Sequence, residues 1–126
     1  CSSAPPDFDP EAARASVERI VATGADRVYL AHFGELGNVR ESAQSILASI
    51  GHMEAILREA AAGDLVGEAL LKFCEEKIHA AIARHAEECG TIFSPEDEHL
   101  IGTDARIDAQ GIALCAERLR KQRVIT

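Results

Sequence analysis

The sequence predicts a mainly α-helical chain: four longer helices, one short helix and a single short strand at about residues 28–31. Three observations carry that prediction. Apolar residues recur at steps of three and four through most of the chain. Glycines and Ser-Pro or Asp-Pro pairs punctuate those stretches at helix-like intervals. One segment alone, Arg27-Val28-Tyr29-Leu30-Ala31, is an almost unbroken apolar run with β-branched and aromatic residues, the pattern of a short strand buried on both faces. A strand needs a partner, and no second convincing one is legible. The expectation is therefore an orphan strand, or one whose sheet lies outside these 126 residues.

Residues 1–8 read as a linker, because Pro5-Pro6 enforces extended backbone. Asp9-Pro10-Glu11 opens the first helix with an N-cap acid, a proline at the first helical position and an acid in the first turn. Ala13, Val17, Ile20 and Val21 share one face, and Gly24 stands where the helix should stop. After the strand, Gly34-Glu35-Leu36-Gly37-Asn38 reads as a loop whose Asn38 caps a helix running to about Ala62. Its inner face is Val39, Ala43, Ile46, Leu47, Ile50, Met53, Leu57 and Ala60. Gly63-Asp64 offers a stop and a new cap within two residues, so an antiparallel helical hairpin is expected.

The second arm runs from about Leu65 to Cys89, with Val66, Leu70, Phe73, Ile78, Ala81 and Ile82 inward and Gly90 as its end. Ser94-Pro95-Glu96-Asp97 opens the short helix, expected to stop at Gly102. A last helix from about Asp104 to Arg123 is expected to bury Ile107, Gly111, Leu114 and Cys115, with Gly111 at a close crossing. The basic residues from Arg118 to Arg123 suit the negative end of that helix. Two regions follow: 1–37, a helix–strand–loop portion, and 38–126, a helical domain.

Thirteen basic against 21 acidic residues give a net charge of −8. A nucleic-acid backbone or an anionic membrane surface would call for a basic face, so neither is an expected partner. No apolar run approaches the roughly 18 residues of a membrane span. Cys1, Cys74, Cys89 and Cys115 form no Cys-x-x-Cys pair, and the last three lie in helical patterns as buried-type residues. That usage suggests free thiols and a cytoplasmic setting. Cys1 fits either the processed end of a lipid-anchored protein or a segment of something longer, and the second is the expectation.

The histidine carrying most interest is His32, in the string Arg27 to Gly34, where an expected strand ends and the chain turns at Gly34. Its context is Pro5-Pro6-Asp7-Phe8-Asp9-Pro10-Glu11-Ala12-Ala13, then Ser16-Val17-Glu18-Arg19-Ile20. Together these strings resemble the C-terminal part of a metallo-β-lactamase-fold hydrolase, closely from Asp7 to about Val39 and more loosely over the helices beyond. The resemblance implies that His32 is a ligand of the second metal, zinc in the complete enzyme, whose substrate is a small molecule. The family's His-x-His-x-Asp-His motif is absent, the histidines here being His32, His52, His79, His85 and His99. A catalytic zinc needs about three protein ligands, so these residues alone are expected to hold no metal and to be non-catalytic. The helical region would shape the substrate pocket or an oligomer interface, and a homodimer is expected.

A second class of reading rests on Glu76-Lys77-Ile78-His79 and Glu96-Asp97-Glu98-His99, both Glu-x-x-His, the spacing that di-iron helical bundles draw from two helices. Glu54 and Glu117 are the nominees for the remaining carboxylates. Solvated helix faces explain the same residues, since Glu-x-x-His arises easily among 21 acids. His85 and Cys89, one turn apart, also have the spacing to share a metal. A pure interaction module is the third class.

Overall fold

The computed structural model describes residues 8–31 and 34–125. Its elements in order are α1 (Pro10–Ala22), β1 (Val28–Leu30), β2 (Gly34–Leu36), α2 (Val39–Ala62), α3 (Gly67–Cys89) and α4 (Pro95–Ile125). The mainly helical class holds. The backbone divides into two compact units, one of residues 9–51 and one of Phe8 with residues 52–125, the division falling within α2 between Gly51 and His52.

In the first unit, α1 starts as its sequence demands. Asp9 is extended and its carboxylate accepts from the Ala12 amide at 2.9 Å, with Pro10 following at the first turn. Gly24, at φ +69°, takes the left-handed conformation just beyond the helix. The strand that follows is not an orphan. β1 pairs antiparallel with β2 in the register Val28↔Leu36, Tyr29↔Glu35, Leu30↔Gly34. Gly34-Glu35-Leu36 looks like loop because it is short and flanked by glycines. Gly34 nevertheless sits at φ +81°, a conformation open to glycine that lets the chain enter the second strand. Burial on both faces is also corrected: Val28 is half-buried, whereas Tyr29 is 76 % exposed and Leu30 is exposed. A two-stranded ribbon has no further layers to cover it.

The second unit is a three-helix bundle built from α2 after Gly51, α3 and α4. Side chains of α2 and α3 line a common groove, His52, Ala55 and Glu59 from one helix and Lys77, Ala80 and Arg84 from the other, and the Lys77 ammonium lies 2.7 Å from Glu59 Oε1. α4 returns along α3, with Gly102 beside His79 and Arg106 reaching Glu75 at 3.5 Å and Glu68 at 3.7 Å. The core joins Ile56, Leu57, Leu70, Cys74, Ile78 and Ile112 with Ala60, Ala105, Ala109, Ala116 and Phe8. Ile78, Ile112 and Cys74 are completely enclosed, and burying each isoleucine stabilises the fold by about 1.5–3 kcal/mol.

Two boundaries and one buried face differ from the sequence expectation. Asp64 does not cap α3, whose N-cap is Val66 with no side-chain hydrogen bond. The longer joint leaves the carbonyls of Ala60 and Leu65 to accept from the Arg120 guanidinium, the latter at 2.5 Å. Gly102 does not end a short helix: α4 runs unbroken through it, and the Thr103 hydroxyl donates to the His99 carbonyl across the same turn. A mid-helix glycine costs about 1 kcal/mol, less than the burial α4 gains by continuing along α3. The seam is also rotated. Ala105, Ala109, Ile112 and Ala116 are enclosed with Gly111, Cys115 is half-buried, and Ile107 and Leu114 are exposed. The small residues Ala105, Ala109, Gly111 and Ala116 around Ile112 permit a close helix–helix approach that larger side chains would obstruct.

Candidate functional site

His32, the one residue the family resemblance marks as a metal ligand, lies outside the described residues, between the two strands. What is described is the frame on either side of it. Arg27 donates to Glu35 Oε1 at 2.8 Å and the Tyr29 hydroxyl donates to Glu35 Oε2 at 2.8 Å. Both oxygens of one carboxylate are thus held from across the ribbon, and Tyr29 and Glu35 are directly opposed in the register. Such a cross-strand pair stabilises by about 0.2–1 kcal/mol and fixes the register. Sequence pattern does not reveal Glu35, because Gly34-Glu35-Leu36 reads as loop. The alternation that would have found it is only three residues long.

In the same unit a cleft of about 370 Å³ lies between the end of α1 and the start of α2, lined by Val21, Gly24, Asp26, Asn38, Arg40 and Glu41 among others. Its walls carry charge of both signs and no histidine or cysteine.

The Glu-x-x-His residues do not converge. Among the described residues no three of His, Cys, Asp and Glu stand close enough to hold a metal ion together. Glu76 and His79 are exposed on α3, where Lys72 approaches Glu76 at 3.9 Å. Glu96 and His99 are exposed in the first turns of α4. Glu54 accepts from Arg58 one turn along α2 at 3.3 Å, and Glu117 borders a surface groove with Gly67 and Leu71. The solvated-face explanation fits these positions.

The cysteines divide. Cys74 is enclosed in the core, and its loss of water pushes the thiol up from 9.0 to about 11, with the Arg120 charge opposing part of that shift. Cys115 Sγ lies 3.6 Å from the Phe8 carbonyl. Cys89, expected in the core, is exposed at the end of α3 with its Sγ 3.7 Å from His85 Nε2. Its position follows from α3: the buried residues Leu70, Cys74, Ile78 and Ala86 define a stripe that passes beside Cys89.

No protein-family model, curated protein or solved structure matches the chain.

Proposed function

We propose that the chain is the C-terminal part of a metallo-β-lactamase-like, metal-dependent hydrolase, in which His32 is one ligand of the second metal. The observation that most supports this reading is the segment from Asp7 to Val39. Its sequence resembles the family, and its described part is a capped helix followed by a strand that ends just before His32. A second support is what α1 and the ribbon leave open. No residue of α1 is buried, and Ile20, Tyr29 and Leu30 are exposed apolar side chains, as expected of a helix and strand that complete a larger sheet.

In the complete protein a bound zinc pair would lower the pKa of water to give hydroxide near neutral pH. The described residues offer no group of three donors, so no step of that chemistry is assigned to them. His32 would bind through one ring nitrogen while a neighbour orients the other. Helices α2 to α4 would shape the pocket for a small-molecule substrate or form an interface between copies. The free thiols Cys74 and Cys89 agree with a cytoplasmic setting. No described helix is long and apolar enough to cross a membrane.

The direct test is the reading frame upstream of Cys1. A His-x-His-x-Asp-His motif there is the expected result, and a frame without it overturns the proposal.

A further inference from the structure

α3 ends in a pair of metal-binding side chains that the hydrolase reading does not use. His85 and Cys89 stand one helical turn apart, both exposed, with Sγ and Nε2 separated by 3.7 Å. A tetrahedral zinc holds sulfur at about 2.3 Å and nitrogen at about 2.05 Å, which puts those two ligand atoms about 3.6 Å apart. The pair therefore already has the bite that zinc requires, and the helix fixes it because residues four apart share a face.

Three further features favour a cation at this place. The last turn of α3 contains no basic residue. Glu87 and Glu88 immediately precede Cys89 in sequence, and the C-terminal end of a helix carries partial negative charge. A thiolate with an imidazole is also the donor set that selects zinc over calcium or magnesium.

Two ligands do not complete a zinc site, and no third donor stands with them among the described residues. We propose that His85 and Cys89 bind zinc together with the same pair from a second copy of the chain, giving a closed two-histidine, two-cysteine site across a two-fold axis. Isologous contacts of this kind supply matching halves from one sequence. On binding, each Cys89 thiol gives up its proton to solvent and its sulfur bonds to the metal, so one zinc takes two thiolates and releases two protons. No redox step is involved.

The experiment is titration of the reduced 126-residue chain with zinc, followed by sedimentation velocity and metal analysis, with cobalt as the spectroscopic substitute. The expected result is one zinc per two chains, formation of a dimer on addition of metal, and a thiolate-to-cobalt charge-transfer band. Cys89→Ser and His85→Ala should each lose the zinc-induced dimer at least tenfold in affinity, while Cys74→Ala and His32→Ala keep it. Both varied side chains are exposed, and an unchanged helical circular dichroism spectrum would show that the fold persists. Zinc uptake equal in Cys89→Ser and the parent, or zinc bound without association, would overturn the proposal. The site is independent of His32, so its failure leaves the hydrolase reading where it stood.

Discussion

Ser94 and Asp97 hold each other at the start of α4. The Ser94 hydroxyl accepts from the Asp97 amide at 3.2 Å, and the Asp97 carboxylate accepts from the Ser94 amide at 2.9 Å and its hydroxyl at 2.7 Å. Those bonds favour the charged carboxylate and hold Asp97 below its ordinary value. A depressed folded-state pKa adds stability above the unfolded value, and that stability is lost as pH falls through the folded one. Ser94→Ala should cost about 0.5–2 kcal/mol in urea unfolding at neutral pH, with the difference shrinking in acid. Cys74 has the opposite sign. Its thiol, raised to about 11, favours the folded state fully below pH 9.0. Stability should fall between pH 9 and 11, and Cys74→Ala should flatten that slope while lowering stability at neutral pH through the small cavity it leaves. An equally steep slope in the variant would contradict the assignment.

Among the elements, α1 and the first half of α2 were legible because their signals are local. Asp9-Pro10 fixes one start, Gly24 one stop, and Val39, Ala43, Ile50 and Met53 repeat along a single face that is buried as the period implies. The C-terminal cap of α3 was equally readable, with Gly90 at φ +66° and the Thr91 amide donating to the Ala86 carbonyl at 2.8 Å. What could not be read depends on tertiary contact. β2 is too short for alternation to declare itself, and Gly102 has the sequence appearance of a stop. The buried stripe of α4 is mostly alanine, so hydrophobicity pointed to Ile107 and Leu114 instead.

The account of α4 gives a prediction of its own. A methyl group at Gly102 would make only an ordinary contact, 4.0 Å from His79 Cε1. Gly102→Ala should therefore stabilise the protein by about 0.4–1 kcal/mol, seen as a raised thermal midpoint. Destabilisation would show that the helix bends or breaks there. Ile112→Ala, which empties a fully enclosed site on the same helix, should cost about 2–5 kcal/mol.

At the scale of the whole molecule, the bundle of residues 52–125 accounts for its own core, and the portion of the chain around α1 and the ribbon does not. The only candidate ligand that the family resemblance contributes, His32, belongs to that second portion. The sequence made it visible as a histidine between a strand and a glycine. Its partners were not legible, because a metal site draws its ligands from distant parts of a fold and local pattern carries no record of them. The measurement that bears most directly on the central claim is the zinc content of the complete gene product, in a Cys89→Ser background so that His85 and Cys89 contribute nothing. His32→Ala in that protein should lose one metal equivalent per chain together with most of the hydrolytic activity. Metal content unchanged by the substitution would contradict the claim.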